Sequence, residues 1–130
     1  EASAYVAHRM SFGQTLAAHE GVQWMLGDVA KDIQIGRLLT MQAAWKLDQG
    51  DFARSDISIA KIHAADTLHK AADTAIQLLG ARGYSKDTIV EWIYRYARQA
   101  RLVDGASEIH KMVLSRAYLS EGQDFFRWGV

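Results

Sequence analysis

An acidic residue followed by glycine, Asp104-Gly105, stands directly before the last helical pattern of the chain. A carboxylate held in a partly dry pocket can act as a general base that removes a proton next to a carbonyl group. A glycine beside it lets the backbone come close to a substrate. The same position also suits a simple helix cap, because a carboxylate accepts hydrogen bonds from the free N–H groups of a first helical turn. The residues alone leave both interpretations open.

A second segment, Arg9-Met10-Ser11-Phe12-Gly13, combines a guanidinium with an aromatic residue and a glycine. The planar guanidinium of Arg9 can bind a phosphate through two parallel hydrogen bonds. Alternatively, Arg9 is a surface cation at the end of a helix, where positive charge interacts favourably with the helix dipole. The segment is too short to decide between a phosphate site and a helix end.

A third segment, Gln77-Leu78-Leu79-Gly80-Ala81-Arg82-Gly83-Tyr84, brings two glycines to the end of a long helical pattern. Gly80 and Gly83 predict that the helix ends there and that the chain turns. The segment is not a nucleotide-binding P-loop, because the glycine-to-lysine spacing of that motif is missing. No specific chemistry follows from these residues on their own.

Long helices must position the three segments. The 130 residues contain no proline, and apolar residues recur at helical spacing between glycine breaks. The expected helices cover residues 2–10, 21–50, 52–79, 88–99 and 106–119, and no strand of useful length is expected. The apolar tail, Phe125-Phe126-Arg127-Trp128, is expected to pack on neighbouring residues. We therefore predict a single all-α domain over residues 1–130 with an up-down, four-helix-bundle-like fold.

Composition excludes several classes of function. Fifteen basic and fifteen acidic residues cancel to a net charge of zero, so the chain lacks the positive surface that nucleic-acid binding needs. Without cysteine there is no disulfide framework or thiolate chemistry. No apolar run approaches the roughly 18 residues of a membrane-spanning helix, and no signal peptide is recognisable, which favours the cytoplasm. No Glu-x-x-His pair exists for a di-iron site, so no metal is expected, and His63 is expected to be a hydrogen-bonded core residue.

In this order and spacing, the three segments resemble the acyl-CoA dehydrogenase family. The family's acid-Gly-Thr-Ser-Glu-Ile, Arg-x-x-Phe-Gly and Gln-x-Leu-Gly-Gly-x-Gly-Tyr/Phe runs correspond to residues 104–109, 9–13 and 77–84, with Ala106 in place of the Thr and Ala81 in place of the second Gly. The resemblance extends over roughly residues 2–118 and is to the C-terminal helical domain. The run Val-Asp-Gly-Ala-Ser-Glu-Ile-His over residues 103–110 resembles the acyl-CoA dehydrogenase 10/11-like branch of the family. The N-terminal helical domain and the middle β domain of such enzymes are absent from this sequence.

The resemblance implies a flavoenzyme that oxidises an acyl-CoA thioester to its trans-2-enoyl form with FAD as cofactor. Asp104 would then be the catalytic base, and Gly105 would lie against the substrate. Five residues would hold the FAD of a neighbouring subunit: Arg9, Phe12, Gln77, Gly80 and Ala81. The family is usually a homotetramer, a dimer of dimers, and passes electrons to an electron-transfer flavoprotein or a similar acceptor.

Departures from the family pattern keep alternatives open. Asp104 is one methylene shorter than Glu, about 1.5 Å, and a misplaced base loses rate. Nitroalkane oxidase, of the same superfamily, has Asp at the corresponding place and is the enzymatic alternative. Some family members carry the base on a helix upstream of Arg9, which this sequence does not include. A helical module that serves only oligomerisation is the non-enzymatic alternative. These 130 residues alone are expected to bind little flavin and to be inactive.

Overall fold

Helices make up most of the chain in a computed structural model that describes residues 1–127. They are α1 (Ala2–His8), α2 (Glu20–Asp48), α3 (Arg54–Leu79), α4 (Ala81–Tyr84), α5 (Val90–Gln99) and α6 (Ser107–Glu121). Strands β1 (Met10–Ser11) and β2 (Gln14–Thr15) pair antiparallel, and 3₁₀ segments cover Leu16–Ala18 and Gly122–Phe126. The predicted all-α class is confirmed, and the ends of α2, α3, α5 and α6 differ from the predicted ends by at most two residues.

The two long helices, α2 and α3, form an antiparallel hairpin. Near the turn, Lys46 Nζ donates to Asp56 Oδ2 at 2.8 Å, and Gln42 Nε2 donates to the other carboxylate oxygen at 2.8 Å. Far from the turn, Lys70 Nζ donates to Asp32 Oδ2 at 2.6 Å. Residues nearer the start of α2 therefore contact residues nearer the end of α3, as in any antiparallel pair of helices.

One histidine joins the two long helices. The Nε2 atom of His63 on α3 lies 2.8 Å from the backbone oxygen of Asp32 on α2. The ring is half-buried and also lies 3.3 Å from Thr67 Oγ1. The prediction that His63 is hydrogen-bonded is therefore confirmed, but the ring is only half-buried and lies at the edge of the core.

Helix α3 is central and contacts each of the other helices. The chain following α5 is tied to it by an ion pair of 2.9 Å between Arg101 Nε and Asp66 Oδ1, and the His69 and Tyr94 rings meet at 5.2 Å. These two contacts make α5 antiparallel to α3. Ser58 Oγ lies 3.1 Å from a ring nitrogen of a histidine in the first turn of α6, so the first turns of α3 and α6 lie side by side. The helices therefore follow the predicted up-down order.

Packing is close around α3 and open along α2. Three buried alanines on α3, Ala60, Ala65 and Ala72, let neighbouring backbones approach. Large apolar side chains at helical spacing are instead exposed on α2. We call this surface the α2 apolar face: Trp24, Leu38, Met41 and Trp45. Exposed apolar patches of this kind mark surfaces that contact other proteins.

The segment around Phe12 differs from the prediction. Helix α1 was expected to reach residue 10, but it ends at His8 because Arg9 is extended, with φ −70° and ψ 120°. Phe12 and Gly13 then adopt φ values of 49° and 80°. Two successive residues with positive φ make the tight turn that suits the twist of two paired strands. Strands of two residues carry no alternation to detect, which is why the pattern missed this β-hairpin.

The apolar tail packs as expected over its described part. The rings of Phe125 and Phe126 contact Tyr118 of α6 edge-on, with centroids 5.8 Å and 5.5 Å apart. Trp128 lies outside the described residues.

Candidate functional site

Asp104 lies in the turn between α5 and α6, in a left-handed backbone conformation. Its φ is 55°, and Gly105 follows with φ 86°. A non-glycine residue in this region costs about 1–2 kcal/mol, so surrounding contacts must hold it there. Helix α6 begins at Ser107, with Ala106 as its N-cap and no side-chain capping bond. The interpretation of Asp104 as a helix cap is therefore wrong.

Side chains from two helices hold this turn. Lys61 Nζ on α3 donates to the backbone oxygen of Gly105 at 2.6 Å and to that of Ala100 at 3.0 Å. His110 Nε2 on α6 lies 3.2 Å from the backbone oxygen of Asp104. The other ring nitrogen, Nδ1, lies 3.1 Å from Ser58 Oγ, and Ser58 is only 2% exposed. The turn is thus anchored to the buried centre of the fold.

The Asp104 side chain is exposed and has no hydrogen-bond or ion-pair partner within residues 1–127. It borders a cavity of about 290 Å³ between α3, α5 and the turn. The cavity walls are mainly apolar and include Ala64, Leu68, Tyr96 and Val103. An unpaired carboxylate beside an apolar recess is chemically suited to accept a proton from a bound molecule.

Arg9 and Phe12 lie at the β-hairpin. Arg9 is exposed, and its guanidinium has no carboxylate partner among residues 1–127. The Phe12 ring is 96% exposed at the tip of the turn. His19 braces the hairpin, because its Nε2 atom lies 3.0 Å from the Ser11 backbone oxygen and its Nδ1 atom lies 3.1 Å from Gln14 Nε2. A free guanidinium beside an unpacked ring suits a ligand with both a phosphate and an aromatic or apolar part.

Gln77, Gly80 and Ala81 lie at the turn from α3 into α4. Gly80 ends α3 with φ 61° and ψ −140°, and Ala81 begins the single helical turn α4. Gly83 is buried against α3: a Cβ atom there would lie 2.8 Å from Leu79 Cβ. Gly80 ends α3 as predicted, whereas Gly83 lies within α4 and ends no helix. Gln77 and Ala81 are exposed beside the turn and available to a ligand or a neighbouring subunit.

The site residues fall into two groups at opposite ends of α3. Lys61, which holds the Asp104 turn, and Gln77 are sixteen residues apart on α3. At 1.5 Å per residue, this separation is about 24 Å. The β-hairpin directly precedes α2, whose start lies beside the end of α3, so Arg9 and Phe12 share an end with Gln77. One chain therefore does not bring its own Asp104 to the ligand that its Arg9 and Gln77 could hold.

Sequence analysis did not find Ser58, Lys61 and His110. Lys61 contacts the turn across 39 and 44 positions of the chain, and Ser58 contacts His110 across 52, so no local pattern reports these two residues. His110 lies only six positions after Asp104, but its contact depends on the backbone conformation of the turn. Residues 1–127 contain no group of three or more His, Cys, Asp or Glu side chains arranged to hold a metal ion. None of the helices described for this chain is both long and apolar enough to cross a membrane.

Comparison with known proteins places this arrangement in a family. Residues 1–119 match the family model described as "Acyl-CoA dehydrogenase, C-terminal domain". The chain belongs to the acyl-CoA dehydrogenase family. The resemblance of the three segments is thereby confirmed, since they all lie within the matched residues.

Two curated relatives and one solved structure illustrate the similarity of this acyl-CoA dehydrogenase domain. It is 36% identical over 115 residues to the short-chain specific acyl-CoA dehydrogenase of Clostridium acetobutylicum, covering 88% of this chain and 30% of that protein. It is 37% identical over 118 residues to (R)-benzylsuccinyl-CoA dehydrogenase of Thauera aromatica, covering 90% and 29%. The structure of butyryl-CoA dehydrogenase from Megasphaera elsdenii matches with a TM-score of 0.87 at 31% identity, covering 91% and 31%. The chain thus spans about 30% of the length of the relatives it matches.

Proposed function

We propose that this domain supplies the catalytic base of an FAD-dependent acyl-CoA dehydrogenase, which oxidises an acyl-CoA thioester to the trans-2-enoyl-CoA. The observation that carries the proposal is Asp104, an unpaired carboxylate beside an apolar cavity in a turn that other helices hold. Two relatives bear names that specify CoA thioesters as substrates, which supports the substrate class.

In the proposed reaction, the Asp104 carboxylate removes the proton from the α-carbon of the thioester. The chemistry that bound FAD would supply is acceptance of the hydride from the β-carbon, so that the thioester would lose a proton and a hydride and gain a carbon–carbon double bond. Gly105 has no side chain and lets the thioester approach the turn. Leu68 and Val103 form apolar walls of the cavity beside the carboxylate, where an acyl chain would pack.

We further propose that the end of α3 remote from Asp104 holds the FAD of a neighbouring subunit. The unpaired guanidinium of Arg9 fits the pyrophosphate, and the exposed Phe12 ring fits an apolar part of the cofactor. Gln77 would donate from its amide, and the turn at Gly80 and Ala81 would let a cofactor approach the backbone. The Asp104 turn and the group formed by Arg9, Phe12 and Gln77 lie about 24 Å apart along one helix. Each would therefore complete a site together with a second subunit.

This division of the site supports a homo-oligomer, and we propose that it is built as a dimer of dimers. The α2 apolar face supports it, since four large apolar side chains at helical spacing would be covered by another subunit. The electron acceptor would be an electron-transfer flavoprotein or a similar protein. The domain would work within a longer chain, whose other domains would enclose the cofactor and the acyl group.

A nitroalkane-oxidase-like activity is the second candidate. One observation favours it, namely that the base is Asp104 and not the more usual Glu. Both reactions begin with removal of a proton from a carbon acid, so the same carboxylate would serve either substrate. A reaction with a nitroalkane and none with any acyl-CoA would favour this candidate.

The test uses the full-length protein that contains this domain. Its visible spectrum is recorded before and after anaerobic addition of a panel of acyl-CoAs, and we expect one of them to bleach the flavin band. Asp104→Asn should abolish the bleaching, because the amide cannot take the α-proton. Glu108→Gln is the matched control: Glu108 is an exposed carboxylate in the first turn of α6, and its loss should leave the bleaching intact. Bleaching by the Asp104→Asn variant at the wild-type rate would refute Asp104 as the base.

A further inference from the structure

The turn that carries Asp104 is held by two side chains, one from α3 and one from α6. Lys61 also lines the cavity beside Asp104, whereas His110 does not. We propose that Lys61 and His110 are positioning residues for the base. By binding the backbone oxygens of Gly105 and Asp104, they fix the left-handed turn and so direct the Asp104 carboxylate. This inference rests on the proposed function and adds the residues that make an Asp effective there.

The hydrogen-bond chain through His110 has a defined direction. A backbone oxygen can only accept, so His110 Nε2 must carry the proton that it donates to the Asp104 oxygen at 3.2 Å. In the neutral ring, Nδ1 is then an acceptor and receives the hydroxyl proton of Ser58 at 3.1 Å. Ser58 is 2% exposed, so water does not compete for this contact. The buried centre of α3 thereby orients the ring that holds Asp104.

Lys61 acts on the neighbouring peptide. Its ammonium donates to the backbone oxygen of Gly105 at 2.6 Å and to that of Ala100 at 3.0 Å, joining the end of α5 to the turn. No carboxylate within residues 1–127 forms an ion pair with Lys61. Its charge is therefore directed at the two carbonyls, and charge-assisted hydrogen bonds are stronger than neutral ones.

The position of the base depends on these contacts because the backbone conformation is otherwise unfavourable. Asp104 has φ 55°, and a residue of this type persists in that region only when its surroundings hold it. Released from His110 and Lys61, the turn would relax toward more common backbone angles and move the carboxylate. A misplacement of about 1 Å can cost about 10²-fold in rate, and a short side chain has little reach to compensate.

The experiment compares paired variants of the full-length flavoprotein. His110→Asn keeps a polar atom near the Nδ1 position, toward Ser58, but does not reach the Asp104 oxygen. His110→Gln places its amide nitrogen near the Nε2 position and keeps that donor. Lys61→Met removes the ammonium, and Lys70→Met is its matched control, since Lys70 is on the same helix but binds Asp32.

Three quantities are measured for each variant: the rate of flavin bleaching by the acyl-CoA, the dissociation constant of that acyl-CoA, and hydrogen exchange of the Ser107 amide. This amide donates to the Arg101 backbone oxygen at 3.1 Å and closes the turn. We expect His110→Asn and Lys61→Met to bleach about 10- to 100-fold more slowly. The dissociation constant should be unchanged for His110→Asn, because His110 does not line the cavity beside Asp104. Their Ser107 amides should also exchange faster. His110→Gln and Lys70→Met should remain near wild type.

Three results would contradict the inference, and they are distinguishable. If Asp104→Asn does not bleach but His110→Asn and Lys61→Met bleach at the wild-type rate, the proposed function stands and the positioning role is wrong. If Asp104→Asn bleaches normally, the proposed function fails and the positioning role fails with it. Equal slowing by His110→Asn and His110→Gln would also contradict the inference, because the donor to Asp104 would then not matter.

Discussion

Replacing Gly105 with alanine should destabilise the Asp104 turn for two reasons, backbone strain and a steric contact with His110. Gly105 has φ 86°, a region that costs alanine about 1–2 kcal/mol. A Cβ atom at this position would also lie 2.9 Å from His110 Nε2, so the ring must move. Moving it weakens the hydrogen bond to Asp104, worth about 0.5–1.5 kcal/mol. The expected loss of local stability is therefore about 2–3 kcal/mol.

Native-state hydrogen exchange measures this loss at the Ser107 amide, whose bond to the Arg101 oxygen closes the turn. Because 1.4 kcal/mol corresponds to a factor of ten, Gly105→Ala should speed exchange by about 30- to 150-fold. Gly50→Ala is the control that isolates the steric contact. Gly50 has nearly the same φ, 84°, but nothing lies within 4 Å of a Cβ atom there. Its effect on the adjacent Asp51 amide should be only about 5- to 30-fold, from backbone strain alone.

Equal acceleration by the two substitutions would refute the reasoning about His110, because the ring would then have moved without cost. No acceleration by either substitution would refute the left-handed turns themselves.

Two further predictions concern the helix hairpin. Asp56→Asn should lower the free energy of unfolding by about 1–2 kcal/mol, because Asp56 is 13% exposed and accepts from both Lys46 and Gln42. Asp66 pairs with Arg101, and these side chains are 53% and 39% exposed. Asp66→Asn should therefore lower the free energy of unfolding clearly less than Asp56→Asn, as urea unfolding of the two variants would show. The pKa of Asp32 lies below its ordinary value of 3.8, first through the hydrogen bond from Lys70. The ionised Asp32 therefore stabilises the fold above this pH, and its contribution is lost as the pH falls through the lowered pKa. The difference in unfolding free energy between wild type and Asp32→Asn should shrink as the pH falls below 3.8 and through the lowered pKa. A difference that stays constant with pH would contradict the stabilising role of the ionised Asp32.

Much of this domain follows from its sequence. The absence of proline, the helical spacing of apolar residues and the glycine breaks predicted the long helices, because these signals act within a few turns of chain. The order of the segments at Arg9, Gln77 and Asp104 led to the family, which the match over residues 1–119 confirms. The β-hairpin at Phe12 was missed, because its strands are too short to show a pattern.

Only the tertiary structure decided how the candidate base is held. From the sequence, Asp104 could either cap α6 or lie in a turn ahead of it. The difference lies in the φ angle of Asp104, which contacts with other residues maintain. Lys61 meets the turn only because the packing of α3 against α5 and α6 brings it there, and Ser58 meets His110 for the same reason. Gln77 lies about 24 Å from Lys61 along α3. Local patterns determine which helices form, whereas the packing of one helix against another determines which side chains meet.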